Sequence, residues 1–293
     1  MFDSIHTLRE LNMKKFYEKK IEDLEKALEE SPKDAALHKD LGNIFYHQDA
    51  LFLAMEEYKT ALHCDPNYFE AQYNLGNVYF KLKKPYRAII AWVESLLINP
   101  ALDNARFNIA FAYFNLDEYD NALLEFRRVE KMSPDIADIY FYQGMCHFEL
   151  SQYDLACQCY AKVFDLEDVN DEIHYNYGNA LYECARYDLA VEQYSLACEK
   201  NMDDYNSRNN IADCLIRLER FDEALVEIEK VLKVKSDYLP AFLTRGELYL
   251  IMGKNDLAKK EFNEVVSLGQ SSLGKDGRNN TMVRYAKEMS NSI

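Results

Sequence analysis

Apolar residues recur along this chain at the three-and-four spacing of helices buried on one face, in short segments separated by polar breaks. Leu75, Val78, Tyr79 and Leu82 form one such stripe, and Ala88, Ile89 and Trp92 begin the next. The pattern predicts paired amphipathic helices. Its punctuation is periodic. Gly42, Gly76, Gly144, Gly178 and Gly246 are separated by multiples of 34 residues, and Ala110 and Ala212 fill the two intervening slots. Twelve residues after each comes an alanine: Ala54, Ala88, Ala122, Ala156, Ala190, Ala224 and Ala258. A large side chain follows in every period, at Tyr58, Trp92, Phe126, Tyr160, Tyr194, Ile228 and Phe262. Pro32, Pro66, Pro100 and Pro134 also stand 34 apart. Self-similarity of this length marks a repeat architecture rather than a set of separate domains.

The slots have a physical reading. The small slot and the alanine slot are expected on facing helices, where bulk would hold the backbones apart. Asp120, Asp154, Asp188, Asp222 and Asp256 share one slot ahead of the second helix. They are expected to be N-caps, each accepting from an orphan backbone N–H. The prolines fall after the second helix, where they prevent its continuation. Each period therefore reads as a helix–turn–helix that cannot bury its apolar face alone and must stack on its neighbours.

These residues resemble the tetratricopeptide repeat (TPR) family. Seven gap-free units are expected at 35–68, 69–102, 103–136, 137–170, 171–204, 205–238 and 239–272. The resemblance implies an all-α fold, a right-handed superhelical solenoid of antiparallel helix pairs. Residues 1–34 read as a degenerate N-terminal repeat or cap, in which Phe16 to Pro32 supplies a second helix but Lys20 replaces the signature alanine. Residues 273–293 read as a linker, with Gly274 and Gly277, and a short capping helix near Val283–Met289.

In this family the first helices line a concave groove that contacts ligands. The resemblance places Asn43, Tyr73, Asn74, Asn77, Asn108, Asn176, Asn179 and Asn210 on it. An asparagine offers one donor group and one acceptor, matching a peptide unit. The series Asn74, Asn108, Asn176 and Asn210 is similar to the asparagine ladder in the repeat domain of O-linked N-acetylglucosamine transferases, with Tyr142 interrupting it. A second reading stays open, in which these asparagines are repeat consensus serving local hydrogen bonds. Lys39, Asn43 and Asn74 match part of the carboxylate clamp of chaperone-binding members. Asn104 and Asn108 stand where its basic pair would be, so that clamp is expected to be absent.

The same assignment puts Phe107, Phe111, Phe141, Met145 and Tyr175 on the groove, either as apolar ligand contacts or as packing between helices. Charge is uneven. The net charge is −16, and residues 103–238 hold 28 acidic against 13 basic side chains. Asp138, Glu149, Glu172, Glu183 and Asp213 map to or near the groove and would attract a basic partner.

Composition narrows the function classes. With 48% hydrophobic and 29% charged residues the chain is of the globular type. No apolar run approaches a membrane span, and Met1 to Asn12 lacks the basic-then-apolar order of a signal peptide. Seven dispersed cysteines suit a reducing compartment, so a cytoplasmic location and no direct membrane insertion are expected. The acidity disfavours nucleic acid as a partner. Cys157 and Cys159 point to different sides of a helix, and no phosphate loop, dinucleotide fingerprint or nucleophile elbow occurs. No catalytic residue, metal or cofactor is expected. The reading is a non-enzymatic scaffold, adaptor or chaperone-like module that holds an extended or helical, apolar and basic polypeptide segment. The alternatives are a self-assembling structural protein and a regulatory subunit of an enzyme complex, and the oligomeric state is left open.

Overall fold

The computed structural model describes residues 2–166, 170–271 and 277–293, with side chains for 13–166, 170–269 and 281–293. The described residues form sixteen α-helices and no strand. The helix α1 spans Phe2–Glu30. Seven pairs follow: α2 (Ala35–His47) with α3 (Leu51–Cys64), α4 (Phe69–Lys81) with α5 (Pro85–Ile98), α6 (Asp103–Phe114) with α7 (Tyr119–Met132), and α8 (Ala137–Glu149) with α9 (Tyr153–Leu166). The remaining pairs are α10 (Asp171–Glu183) with α11 (Tyr187–Lys200), α12 (Tyr205–Arg217) with α13 (Phe221–Val234), and α14 (Leu239–Ile251) with α15 (Asn255–Ser271). The helix α16, Gly277–Ser292, closes the chain. Two compact units result, Met1–Cys146 and His147–Ile293.

Within each unit, helices pack on their neighbours in the chain. In the first, α2 packs on α3, α3 on α4, α4 on α5 and α5 on α6; in the second the same order runs from α9 to α16. All seven slot alanines are fully buried, and so are the seven large side chains that follow them. The small slot and the alanine slot lie on the two facing helices of a pair, and the small slot meets the large side chain that follows the alanine. A Cβ added at Gly42 or Gly178 would lie 2.7 Å from the ring of Tyr58 or Tyr194, and one at Gly246 would lie 2.8 Å from Phe262. The ring lies on the backbone of the opposite helix, and that contact sets how closely the pair approaches.

The turn inside each pair has one recurring geometry. Asp49, Lys83, Asp117, Ser151, Ala185, Glu219 and Gly253 stand 34 apart and all have φ between 56° and 69°. Around Ala185, its own N–H donates to Tyr182 O at 2.9 Å and Arg186 N–H to Leu181 O at 2.9 Å. This is a Schellman cap, and the same two bonds recur in the other six turns. Only Gly253 adopts the left-handed region without a Cβ penalty. Replacing the exposed Ala185 with glycine is therefore expected to stabilise the second unit by about 1 kcal/mol. Urea unfolding monitored by circular dichroism measures it, and a loss of stability would contradict the strained-turn account.

The turn also displaces the expected N-caps. The residues at the cap of α7, α11 and α13 are Glu118, Arg186 and Arg220, with no side-chain cap bond, and Asp120, Asp188 and Asp222 lie inside the first turn. There a carboxylate interacts with the positive end of the helix dipole instead of closing the cap. Side-chain caps belong to first helices. Asp34 accepts from Ala36 N at 2.9 Å, Asn170 from Ile173 N at 3.1 Å and Asp204 from Ser207 N at 3.0 Å. The prolines follow α1, α3, α5 and α7 by two residues, as stops.

The two ends differ from expectation. Residues 1–34 hold one continuous helix, α1, rather than a degenerate helix pair, since no glycine or proline interrupts the chain before Pro32. The capping helix is longer than Val283–Met289. As α16 it packs on α15 and α14, burying Val283 and Ala286. The expected linker residue Gly274 lies outside the described residues.

Candidate functional site

The asparagines of the first helices form a hydrogen-bond network between repeats. In the first unit Asn43 Oδ1 accepts from the Tyr58 hydroxyl at 2.8 Å and from Asn74 Nδ2, one repeat on, at 2.9 Å. One period later Asn77 Oδ1 accepts from Trp92 Nε1 at 3.1 Å and from Asn108 Nδ2 at 3.2 Å, while Asn108 Nδ2 also reaches the Tyr73 hydroxyl at 3.1 Å. In the second unit Asn179 Oδ1 accepts from the Tyr194 hydroxyl at 2.7 Å and from Asn210 Nδ2 at 3.3 Å. Thus Asn43, Asn77 and Asn179 each tie the buried ring of their own repeat to the next repeat. Among the described residues no hydrogen bond is made by Oδ1 of Asn74, Asn108 and Asn210, by Nδ2 of Asn43, Asn77 and Asn179, or by the amide of Asn176.

The aromatic stripe is half-buried and packs ring on ring. Tyr142 is its hub in the first unit, with ring centroids 5.2 Å from Phe111, 5.4 Å from Phe141, 5.8 Å from Phe126 and 6.0 Å from Phe107. Phe80 extends the stripe from Phe111 to Trp92. Offset and edge-to-face pairs of this kind add about 0.5–1.5 kcal/mol each to burial. Phe107, Phe111 and Phe141 are therefore engaged in packing while remaining half-buried. Met145 and Tyr175 are half-buried as well, and Tyr175 lies 6.0 Å from the ring of Tyr194.

Four of the expected residues meet in one place. Asn179, Glu183, Asn210 and Asp213, from α10 and α12, line a cavity of about 240 Å³ together with Phe148, Tyr182 and Tyr194. Its lining combines aromatic rings with two carboxylates. The Tyr182 hydroxyl donates to Asp213 Oδ2, and burial together with that carboxylate raises the phenol above its ordinary pKa. Arg217 Nε lies 4.0 Å from Asp213 Oδ1, at the edge of pairing distance. Beyond it Glu247 is held above the usual carboxylate range, chiefly by burial, while accepting from the Tyr285 hydroxyl of α16 at 2.9 Å. Glu183 is exposed at the rim.

The other three carboxylates lie elsewhere. Asp138 and Glu172 occupy the first turns of α8 and α10, where the dipole favours them, and Glu149 is exposed at the end of α8. Asn43 lines a separate cleft of about 630 Å³ in the first unit, with Phe16, Lys20 and Asp40 among its neighbours. Phe148 and Tyr182 share the groove-facing register of the first helices, while Tyr194 comes from a second helix, and the convergence of three repeats on one cavity is not contained in the 34-residue spacing.

Burial pushes the thiols of Cys157 and Cys214 up to about 12 and that of Cys198 up to about 11, which suppresses thiolate formation. No group of three or more potential metal ligands occurs among the described residues. Among them, no helix is long and apolar enough to cross a membrane.

No curated protein matches the chain in sequence. Solved structures do match in fold. A tetratricopeptide repeat protein from Parabacteroides merdae aligns with a TM-score of 0.61 at 17% identity, covering 87% of this chain and 99% of its own. YrrB, described as a TPR protein with an unusual peptide-binding site, aligns with a TM-score of 0.55 at 19% identity, covering 68% and 98%. Pseudomonas aeruginosa pilF aligns with a TM-score of 0.59 at 15% identity, covering 74% and 98%. Models of the TPR or tetratricopeptide repeat match residues 51–83, 107–163, and 69–102, 205–238 and 239–269. The matched segments span more than half of the sequence, and those at 69–102, 205–238 and 239–269 coincide with helix pairs, so the chain belongs to the tetratricopeptide repeat family.

Proposed function

We propose that this chain is a non-enzymatic interaction scaffold or adaptor that holds a polypeptide segment, apolar and basic in character, on the face lined by its first helices. The observation that carries the reading is the cavity of the second unit. Phe148 and Tyr182 offer apolar contact, Asn179 and Asn210 hold the wall, and Asp213 and Glu183 supply negative charge. A lysine or arginine side chain meets the chemistry it needs there, an aliphatic stem against rings and a cation beside carboxylates. In the same unit the amide of Asn176 would be available to backbone of the segment, and in the first unit the free Oδ1 atoms of Asn74 and Asn108 would accept from peptide N–H groups. The peptide-binding site named for YrrB is in keeping with this use of the fold. The acidic stretch 103–238 would accelerate encounter.

The test compares two fluorescent peptides of equal length, one alternating leucine with arginine and the other leucine with glutamate. The arginine peptide is expected to bind at least about tenfold tighter, with an association rate that falls as salt is added. Combining Glu183→Gln with Asp213→Asn is expected to remove most of that preference. Equal binding of both peptides, or a preference untouched by the double change, would refute the basic-segment reading.

A further inference from the structure

The outer face of α5 is apolar where the other second helices are polar. Tyr86, Ile90, Val93 and Leu97 are 58%, 58%, 42% and 78% exposed, and their spacing places them on one stripe of the helix. The repeat itself supplies the comparison. At the slot of Leu97 the other units carry His63, Lys131, Asp165, Glu199, Lys233 and Ser267. At the slot of Tyr86 five of the other six carry aspartate. No other unit is apolar at all four slots. The stripe contributes nothing to the buried core of α4, α5 and α6, whose contacts come from Ala88, Ile89, Trp92 and Leu96 on the opposite side of the helix. Exposed contiguous apolar surface of this kind marks an interaction site.

We propose that a second copy of this chain covers the stripe, with the two α5 helices apposed antiparallel about a twofold axis. The order of the side chains carries the choice of occupant. When Ile90 is set opposite the partner's Val93, Tyr86 falls opposite the partner's Leu97, so the stripe is its own complement. Arg87 and Glu94 flank it, are both exposed, and are two turns apart on the same side of the helix. The same register brings Arg87 within about 3 Å, along the axis, of Glu94 on the other copy, twice over by symmetry. Arg87 has no ion pair among the described residues, and Glu94 accepts only from Gln72 of its own repeat. In a parallel apposition the two charges would fall on opposite flanks. The helix is electrically balanced in a chain of net charge −16, so two copies meet here without the repulsion that opposes contact elsewhere. The tyrosine is also pre-set, since its hydroxyl donates to Glu118 Oε1 at 2.7 Å.

Sedimentation velocity of the full chain across a concentration series tests this surface independently of the peptide site. The wild type is expected to move from the 34.3 kDa monomer to a species of twice that mass. Ile90→Glu combined with Leu97→Glu should stay monomeric with an unchanged far-ultraviolet circular dichroism spectrum. The single exchanges Arg87→Glu and Glu94→Arg should each weaken dimerisation on the order of tenfold, since each creates two like-charge contacts. Together they should restore it, because the doubly exchanged chain re-forms both pairs with the signs reversed. A wild type that remains monomeric at all concentrations overturns the proposal, as does a dimer that survives the two glutamates. A double exchange that fails to restore association overturns the antiparallel register.

Discussion

Replacing Trp92 with alanine is expected to cost the first unit about 3–5 kcal/mol, a large fraction of the stability of an ordinary domain. The indole is buried among Ala88, Ile89, Leu96, Ala105, Ile109 and Ala112, so the cavity it leaves lies between the second and third repeats. Its Nε1 also donates to Tyr73 O at 3.2 Å and Asn77 Oδ1 at 3.1 Å. Truncation therefore removes packing and one of the two donors that hold Asn77 at the junction with Asn108. A phenylalanine at 92 should keep most of the packing and lose the hydrogen bonds, at about 1–3 kcal/mol. Because Trp92 is the only tryptophan, unfolding has to be followed by circular dichroism rather than tryptophan emission. A cost below about 1 kcal/mol for the alanine variant would mean that the repeat interface can collapse onto the gap.

A single methyl group at Gly178 should also be destabilising. The Cβ of Gly178→Ala would lie 2.7 Å from Tyr194 Cε1. The ring cannot simply retreat, since its hydroxyl is anchored to Asn179, which is in turn bound by Asn210 of the next repeat. Overpacking of this kind costs about 1–3 kcal/mol. The chain contains its own control. In the sixth repeat Ala212 fills the small slot and Ile228 replaces the ring, and both are buried. Introducing Tyr194→Ile beside Gly178→Ala should therefore recover a good part of the loss, giving a coupling of about 1 kcal/mol or more in a double-mutant cycle of denaturant midpoints. Strict additivity would show that the ring and the glycine are not in conflict.

The period was legible in the sequence because the slots that define it are chemically uniform. The small slot is glycine beneath Tyr58, Trp92, Tyr194 and Phe262, alanine where the repeat carries Phe126 or Ile228, and the slot alanines of the second helices are buried without exception. The left-handed turn was invisible for the opposite reason. Asp49, Lys83, Asp117, Ser151, Ala185, Glu219 and Gly253 share a conformation but no chemistry, since backbone hydrogen bonds impose it. Missing that turn shifted the helix starts and turned Asp120, Asp188 and Asp222 into supposed caps. The asparagines were found by type, but their partners, 15 residues away across the pair and 31 away in the next repeat, are set by stacking geometry. Aromatic spacing alone could not separate Phe111 as a ligand contact from Phe111 as a neighbour of Tyr142. The link from Glu247 to Tyr285 depends on where α16 docks, and no repeat slot encodes that.

Among the described residues, the main helix contacts in each unit are with the next helix in the chain or the one after it. Folding such a stack requires no large loop to be pinned before contacts form, so the entropic barrier is low and folding should be fast for a chain of this length. The same connectivity gives each helix pair its own opening energy. Amide exchange should be quicker in α1 and α16, each packed on one side only, and slower in pairs such as α4–α5 and α12–α13, which are clamped from both sides within their own unit. A partner bound across several first helices would then act as a splint, slowing exchange in repeats it never touches.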